Sequence, residues 1–131
     1  MYRRRSLIAL AATAATALPT LAVVVPPPIV LLVDLEVDPA KEKTLLNNFR
    51  NTFRPAIQKQ PGFVDVKLLH LTKEAAGKAP AGCNYRLLIS FETEAQRLAW
   101  VATDIHQKVW PTIESCLKGQ KFIALVYDPV P

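Results

Sequence analysis

Residues 85–96, YRLLISFETEAQ, are a strand that runs within a few residues into a helix. Tyr85, Leu87, Ile89 and Phe91 alternate with Arg86, Leu88 and Ser90, so one face of the extended chain is large and apolar. Thr93, with Gln96 three positions later, forms a capping box: each side chain satisfies a backbone N–H that the first helical turn leaves unpaired. The helix carries Leu98, Ala99 and Trp100. Thr103-Asp104 is a second cap inside the helical region, Pro111 a third start or a kink, and Gly119 its close. KFIALVY, residues 121–127, is the last strand.

The same strand-to-helix step occurs earlier. In IVLLVDLEV, residues 29–37, Ile29, Leu31, Val33, Leu35 and Val37 share one face and Asp34 and Glu36 the other. Asp38 then caps a helix whose first residue is Pro39. Leu45, Leu46, Phe49, Phe53, Ala56 and Ile57 recur at spacings of three and four, which predicts an amphipathic helix to about Lys59, bent at Pro55. Pro61-Gly62 ends it and opens a strand over residues 62–71, with Val64, Val66, Leu68 and His70 on one face. The small, polar loop TKEAAGKAPAGCN, residues 72–84, joins that strand to the next.

The order strand, helix, strand, strand, helix, strand predicts an α+β, ferredoxin-like split βαβ domain: a four-stranded antiparallel sheet with both helices on one face. Val30, Leu32 and the apolar residues of the last strand leave the other face partly apolar. A second copy covers such a face in a homodimer.

Residues 1–22 read as a separate unit. Arg3, Arg4 and Arg5 precede a nearly uncharged run from Leu7 to Val25, the order of a secretory signal peptide, with Thr20-Leu21-Ala22 as a small-residue cleavage site. Arg4-Arg5-Ser6-Leu7-Ile8 fits a twin-arginine signal as well as an ordinary one. The alternative to cleavage is an N-terminal membrane anchor, which Pro19 and the alanine and threonine content make a weak one. Pro26-Pro27-Pro28 stiffens the linker of residues 23–28, and the domain spans 29–131. The expectation is therefore an exported protein, periplasmic or extracellular, with no stable membrane span once cleaved. Cleavage takes three arginines and no acid, so the formal charge falls from +5 to +2. The remaining charges are mixed in sign and scattered, which argues against nucleic acid as a partner.

Several motifs together carry a resemblance. Gln60-Pro61-Gly62-Phe63 follows the first helix, Ser90-Phe91-Glu92-Thr93-Glu94-Ala95 ends the third strand, and Trp100 and His106 follow in the helical region. In this order and spacing, residues 29–128 resemble the antibiotic biosynthesis monooxygenase domain family of dimeric α+β barrels. The resemblance implies a pocket between sheet and helices. It also implies, as in the best-understood members, oxidation of a quinol or polyketide aromatic without any cofactor. A haem-degrading branch uses an asparagine on the first strand and a histidine ten residues after the tryptophan. Here Val33 and Trp110 take those positions, which argues against haem degradation by that route.

His106 is the candidate base, because a neutral imidazole takes a phenolic proton near neutral pH; otherwise it is a helix-end residue beside a cap. Phe91, Val33, Trp100 and Trp110 are candidate walls of a substrate pocket for a flat aromatic or apolar molecule; as plain core residues they need no ligand. His106 and Trp110 are four apart and share a face if Pro111 leaves the turn intact, whereas Trp100 meets His106 only if the helix breaks at Thr103. His70 reads as a surface or interface residue. Asp34 and Glu36 pair with cations or stay solvated, and no metal motif, phosphate loop or nucleophile elbow is present. Cys83 and Cys116 fall at one end of this topology, so in an exported chain they form a disulfide worth about 2–4 kcal/mol or stand as unrelated thiols. Two function classes follow: a cofactor-independent monooxygenase, or a non-enzymatic module binding a small apolar ligand or a partner protein.

Overall fold

The computed structural model describes residues 25–131; the expected signal peptide and the first residues of the linker lie outside them. Strands β1 (Ile29–Val37), β2 (Phe63–His70), β3 (Tyr85–Phe91) and β4 (Leu117–Tyr127) form one antiparallel sheet in the order β2-β3-β1-β4. Helices α1 (Glu42–Asn48) and α2 (Arg54–Gln58) precede β2, while α3 (Glu94–Val101) and α4 (Asp104–Glu114) separate β3 from β4. This is the ferredoxin-like βαββαβ fold.

The core lies between the helices and one sheet face. Val33, Leu35 and Val37 of β1 and Leu87, Ile89 and Phe91 of β3 are buried against Leu45, Phe53 and Ile57 of the first helical region and Val109 and Ile113 of α4. The periodicities of two in the strands and three to four in the helices meet here. Asp34 points to the opposite face, where its buried carboxylate accepts from Arg86 Nε at 2.8 Å. That pairing removes the penalty an unpartnered buried charge would carry.

Both caps form where the sequence implies, although the Gln96 side chain accepts from the Thr93 hydroxyl and not from its backbone N–H. Asp38 accepts from the Ala40 N–H at 3.0 Å ahead of a 3₁₀ turn at Pro39–Lys41. Thr93 accepts from the Gln96 N–H at 3.2 Å, and the two side chains are hydrogen-bonded at 3.1 Å. Pro55 is accommodated by more than a bend. It has no N–H to donate, and a π-turn at Phe49–Phe53 widens the helix just before it, with the Arg54 N–H bonding Phe49 O.

Three expectations need correction. Val64 does not share a face with Val66 and Leu68: a bulge between Phe63 and Asp65 turns Val64 outward and sets Phe63 opposite Phe91. Pro111 neither restarts nor ends a helix but lies inside the continuous α4. Gly119 does not close the helical region, which ends at Glu114. It sits within β4, where it and Gln120 adopt φ of 66° and 54° and let five steps along β4 match two along β1.

Cys83 and Cys116 are both free. They do lie at one end of the domain, since Asp38 N–H donates to Cys116 O and Asn84 bonds both the N–H and the carbonyl of Val37. The sheet separates the sulfurs, however. Cys116 is in the core on the helix side, whereas Cys83 sits beside Asp34 and Glu36, and its own burial, followed by their charges, pushes its thiol pKa up.

Gly62 has φ of +80°, and a Cβ there would collide with the Gln96 side-chain amide. The turn into β2 thus packs on the cap of α3, and Gly62 O also accepts from the Glu92 N–H. Gly62→Ala is expected to cost about 1–3 kcal/mol, measured as a lower urea midpoint with unchanged slope; an unaltered midpoint would show that the cap yields freely.

Candidate functional site

A cavity of about 210 Å³ opens between the helices and the β1–β4 side of the sheet. Leu31, Val33 and Ile89 form its floor, Trp100 and His106 its helical wall, and Phe122 and Ala124 of the edge strand its rim. Phe53, Arg97, Val101 and Trp110 complete it.

Thr103 creates the wall. Its Oγ1 accepts from the His106 N–H at 3.2 Å, capping α4, and donates to Trp100 O at 2.7 Å at the end of α3. The break turns the helix axis between two residues six apart, and the Trp100 and His106 rings meet edge-on at 5.0 Å. Because Pro111 leaves the turn before it intact, Trp110 lies parallel to His106 at 6.4 Å and 12°. Trp110 Nε1 donates to Glu114 at 2.7 Å, which fixes the indole. Its far side meets Phe122 at 5.0 Å.

The sequence candidates divide cleanly. Val33, Trp100, His106 and Trp110 line the cavity. Phe91 does not: fully buried, it packs edge-on against Phe63 at 6.1 Å on the β2 side, where the bulge at Val64 sets Phe63 opposite it. Ile89, two residues back on the same face, lines the floor in its place. His70 is away from the cavity and stacks on Tyr85 at 4.5 Å. Sequence reasoning missed Phe53, Arg97 and Phe122. Phe53 was legible as a core position, and Phe122 alternates with Ala124. Arg97 had a local signal in Glu94, three residues before it on the same helix.

The electrostatics centre on two groups. His106 Nδ1 is enclosed and has no hydrogen-bond partner among the described residues, while Nε2 is less enclosed. Burial pushes the His106 pKa down, and the positive charge of Arg97 lowers it further. Protonation would also place a second N–H donor where nothing accepts it, so the ring is neutral at neutral pH. Arg97 donates through Nε at 2.8 Å and through Nη2 to the two oxygens of Glu94, which raises its own pKa and lowers that of Glu94. The cavity thus offers a neutral base and the Arg97 member of an ion pair within apolar and aromatic walls.

No protein-family model matches the chain, and no curated protein matches it in sequence. Solved structures do match its fold. A candidate antibiotic biosynthesis monooxygenase from Caulobacter crescentus superposes with a TM-score of 0.65 at 17% identity, over 82% of this chain and 93% of that one. A variant of SnoaB, a cofactor-independent oxygenase from Streptomyces nogalater, gives 0.62 at 13% identity, over 78% and 92%. A dimeric ferredoxin-like protein of unknown function from Jannaschia gives 0.65 at 12% identity, over 79% and 100%.

A depressed histidine pKa implies a pH-dependent stability of definite sign. The contribution of neutral His106 is full above the ordinary histidine value of about 6.5 and is lost as pH falls through the lower folded value. The melting-temperature advantage of wild type over His106→Gln should therefore shrink on acidification below that value; an advantage that grows would mean the folded protein holds the imidazolium. The chain has the ferredoxin-like fold that these monooxygenases and dimeric ferredoxin-like proteins share.

Proposed function

We propose that the protein is an exported, homodimeric, cofactor-independent monooxygenase that oxidises a quinol or related aromatic small molecule. The observation that carries this reading is His106, a neutral imidazole with an unpartnered nitrogen, held between two tryptophans in an apolar cavity. Such a base can take a phenolic proton, and the electron-rich phenolate reacts with dioxygen more readily than the phenol does. The walls of Trp100, Trp110 and Phe53 suit a flat ring and exclude water. The volume lies below the usual range of about 300–1,000 Å³, which favours a small ligand. The oxygenase activity of a protein with the same fold supports the reaction class. The basic and apolar N-terminal run supports export.

The outer sheet face supports the homodimer. Leu32, Leu88 and Leu125 lie in register across β1, β3 and β4, and Ile123, Leu125 and Tyr127 are exposed. A second copy meeting this face would cover them, as befits a fold that includes a dimeric relative.

Two measurements test this. Oxygen uptake with a panel of hydroquinones and naphthoquinols should exceed the uncatalysed rate, and His106→Ala should lower kcat/KM by about 10²–10⁴-fold; full turnover in the variant would remove His106 from the mechanism. Leu88→Glu/Leu125→Glu should halve the mass found by light scattering without loss of helical content. A dimer that survives both charges would place the interface elsewhere.

A further inference from the structure

Among the described residues Arg97 is the only cationic side chain lining the cavity, and its side chain is 15% exposed. Glu94 engages Nε and Nη2, which leaves Nη1 with no hydrogen bond among the described residues. A guanidinium with an unused edge at an apolar cavity is arranged to receive an anion, because its planar N–H fork binds oxyanions strongly where water is excluded. The adjacent base sharpens the point. A proton arriving on His106 would place an imidazolium near Arg97, a repulsion that negative charge entering the cavity would offset.

The other groups supply no such charge. The sheet contributes only Leu31, Val33, Ile89, Phe122 and Ala124, and Phe53 is the sole contribution of the first helical region. The carboxylates nearby lie outside the lining: Glu94 is engaged by Arg97, Glu114 accepts the Trp110 indole N–H, Asp104 is exposed at the start of α4, and Arg50 and Arg54 line a separate groove beside β2. With no carboxylate among the described residues that line the cavity, a ligand is the source of an anion there.

We propose that Arg97 holds the oxyanion of an acidic phenol or enol ligand through Nη1 while the ligand's proton passes to His106 Nε2. The O–H bond breaks, an N–H bond forms on the imidazole, and the oxygen keeps the electron pair. The pair of imidazolium and oxyanion is neutral overall, as is the pair of Arg97 and Glu94, so the cavity gains no net charge. This assignment rests on the aromatic-ligand reading of the cavity above and names the ligand class: ring systems with an ionisable hydroxyl, in preference to their ethers or hydrocarbons.

The test is binding, not turnover. 4-Nitrophenol reports its ionisation by colour, and 4-nitroanisole is its non-ionisable analogue. With the full chain in excess, the ionisation midpoint of bound 4-nitrophenol should fall by at least about one pH unit, equivalent to tenfold tighter binding of the phenolate than of the phenol. In Glu94→Gln/Arg97→Met, which removes both charges of the ion pair, the midpoint should return to that of the free probe while 4-nitroanisole still binds. Arg97→Lys should keep part of the shift. A shift that persists in the double variant, or wild type that binds both probes without any shift, overturns the role of Arg97 and leaves the cavity as an aromatic site. Wild type that binds neither probe overturns the aromatic-ligand reading and this assignment with it.

Discussion

Thr103 accepts one hydrogen bond and donates another, and the geometry of the cavity depends on the pair. By capping α4 through the His106 N–H and closing α3 through Trp100 O, it converts a continuous helix into two that meet at an angle. On a straight helix, residues six apart point in different directions and Trp100 would face away from His106. The hydroxyl competes with the helical ladder for backbone groups, which is why threonine is poor inside helices and good at their ends. The same chemistry that terminates a helix here builds a wall.

Phe53 connects that wall to the rest of the core. It sits at the end of the π-turn, near Phe49 at 6.3 Å and edge-on to both Trp100 and Trp110, at 6.2 and 6.3 Å. Pro55 imposes the local widening, because a proline cannot donate the bond a regular helix expects. Asn48 ties the same region to α4 through Thr112 O at 2.9 Å. Two prolines therefore act differently in this fold: Pro55 follows a π-turn, whereas Pro111 is carried within α4.

The edge strand β4 has a double character. Its inward residues Phe122 and Ala124 line the cavity, while Ile123, Leu125 and Tyr127 extend the apolar outer face. The cavity rim and the outer face are thus alternate sides of one strand, and the irregular stretch at Gly119 and Gln120 sets the register of both. An edge strand exposed on both faces is otherwise a liability in water.

The sequence by itself determined the elements and their order. Strand alternation at 29–37 and 85–91, the caps at Asp38, Thr93 and Thr103, and the glycine at 62 are local signals, read from spacing and hydrogen-bonding chemistry along the chain. It also identified Val33, Trp100, His106 and Trp110 as candidates for one pocket. Only the tertiary structure decided what each side chain faces. The register of β1 on β3 sets Ile89 opposite Leu31 on the cavity floor and Phe91 one step beyond, opposite Ile29, while the bulge at Val64 brings Phe63 across from Phe91. The twin placement of Cys83 and Cys116 at one end was legible, but not that the sheet lies between their sulfurs. Arg97 enters the cavity because the break at Thr103 folds α4 back beside it. In each case the deciding quantity is a contact between residues distant along the chain, and periodicity, which is a property of neighbours, cannot encode it.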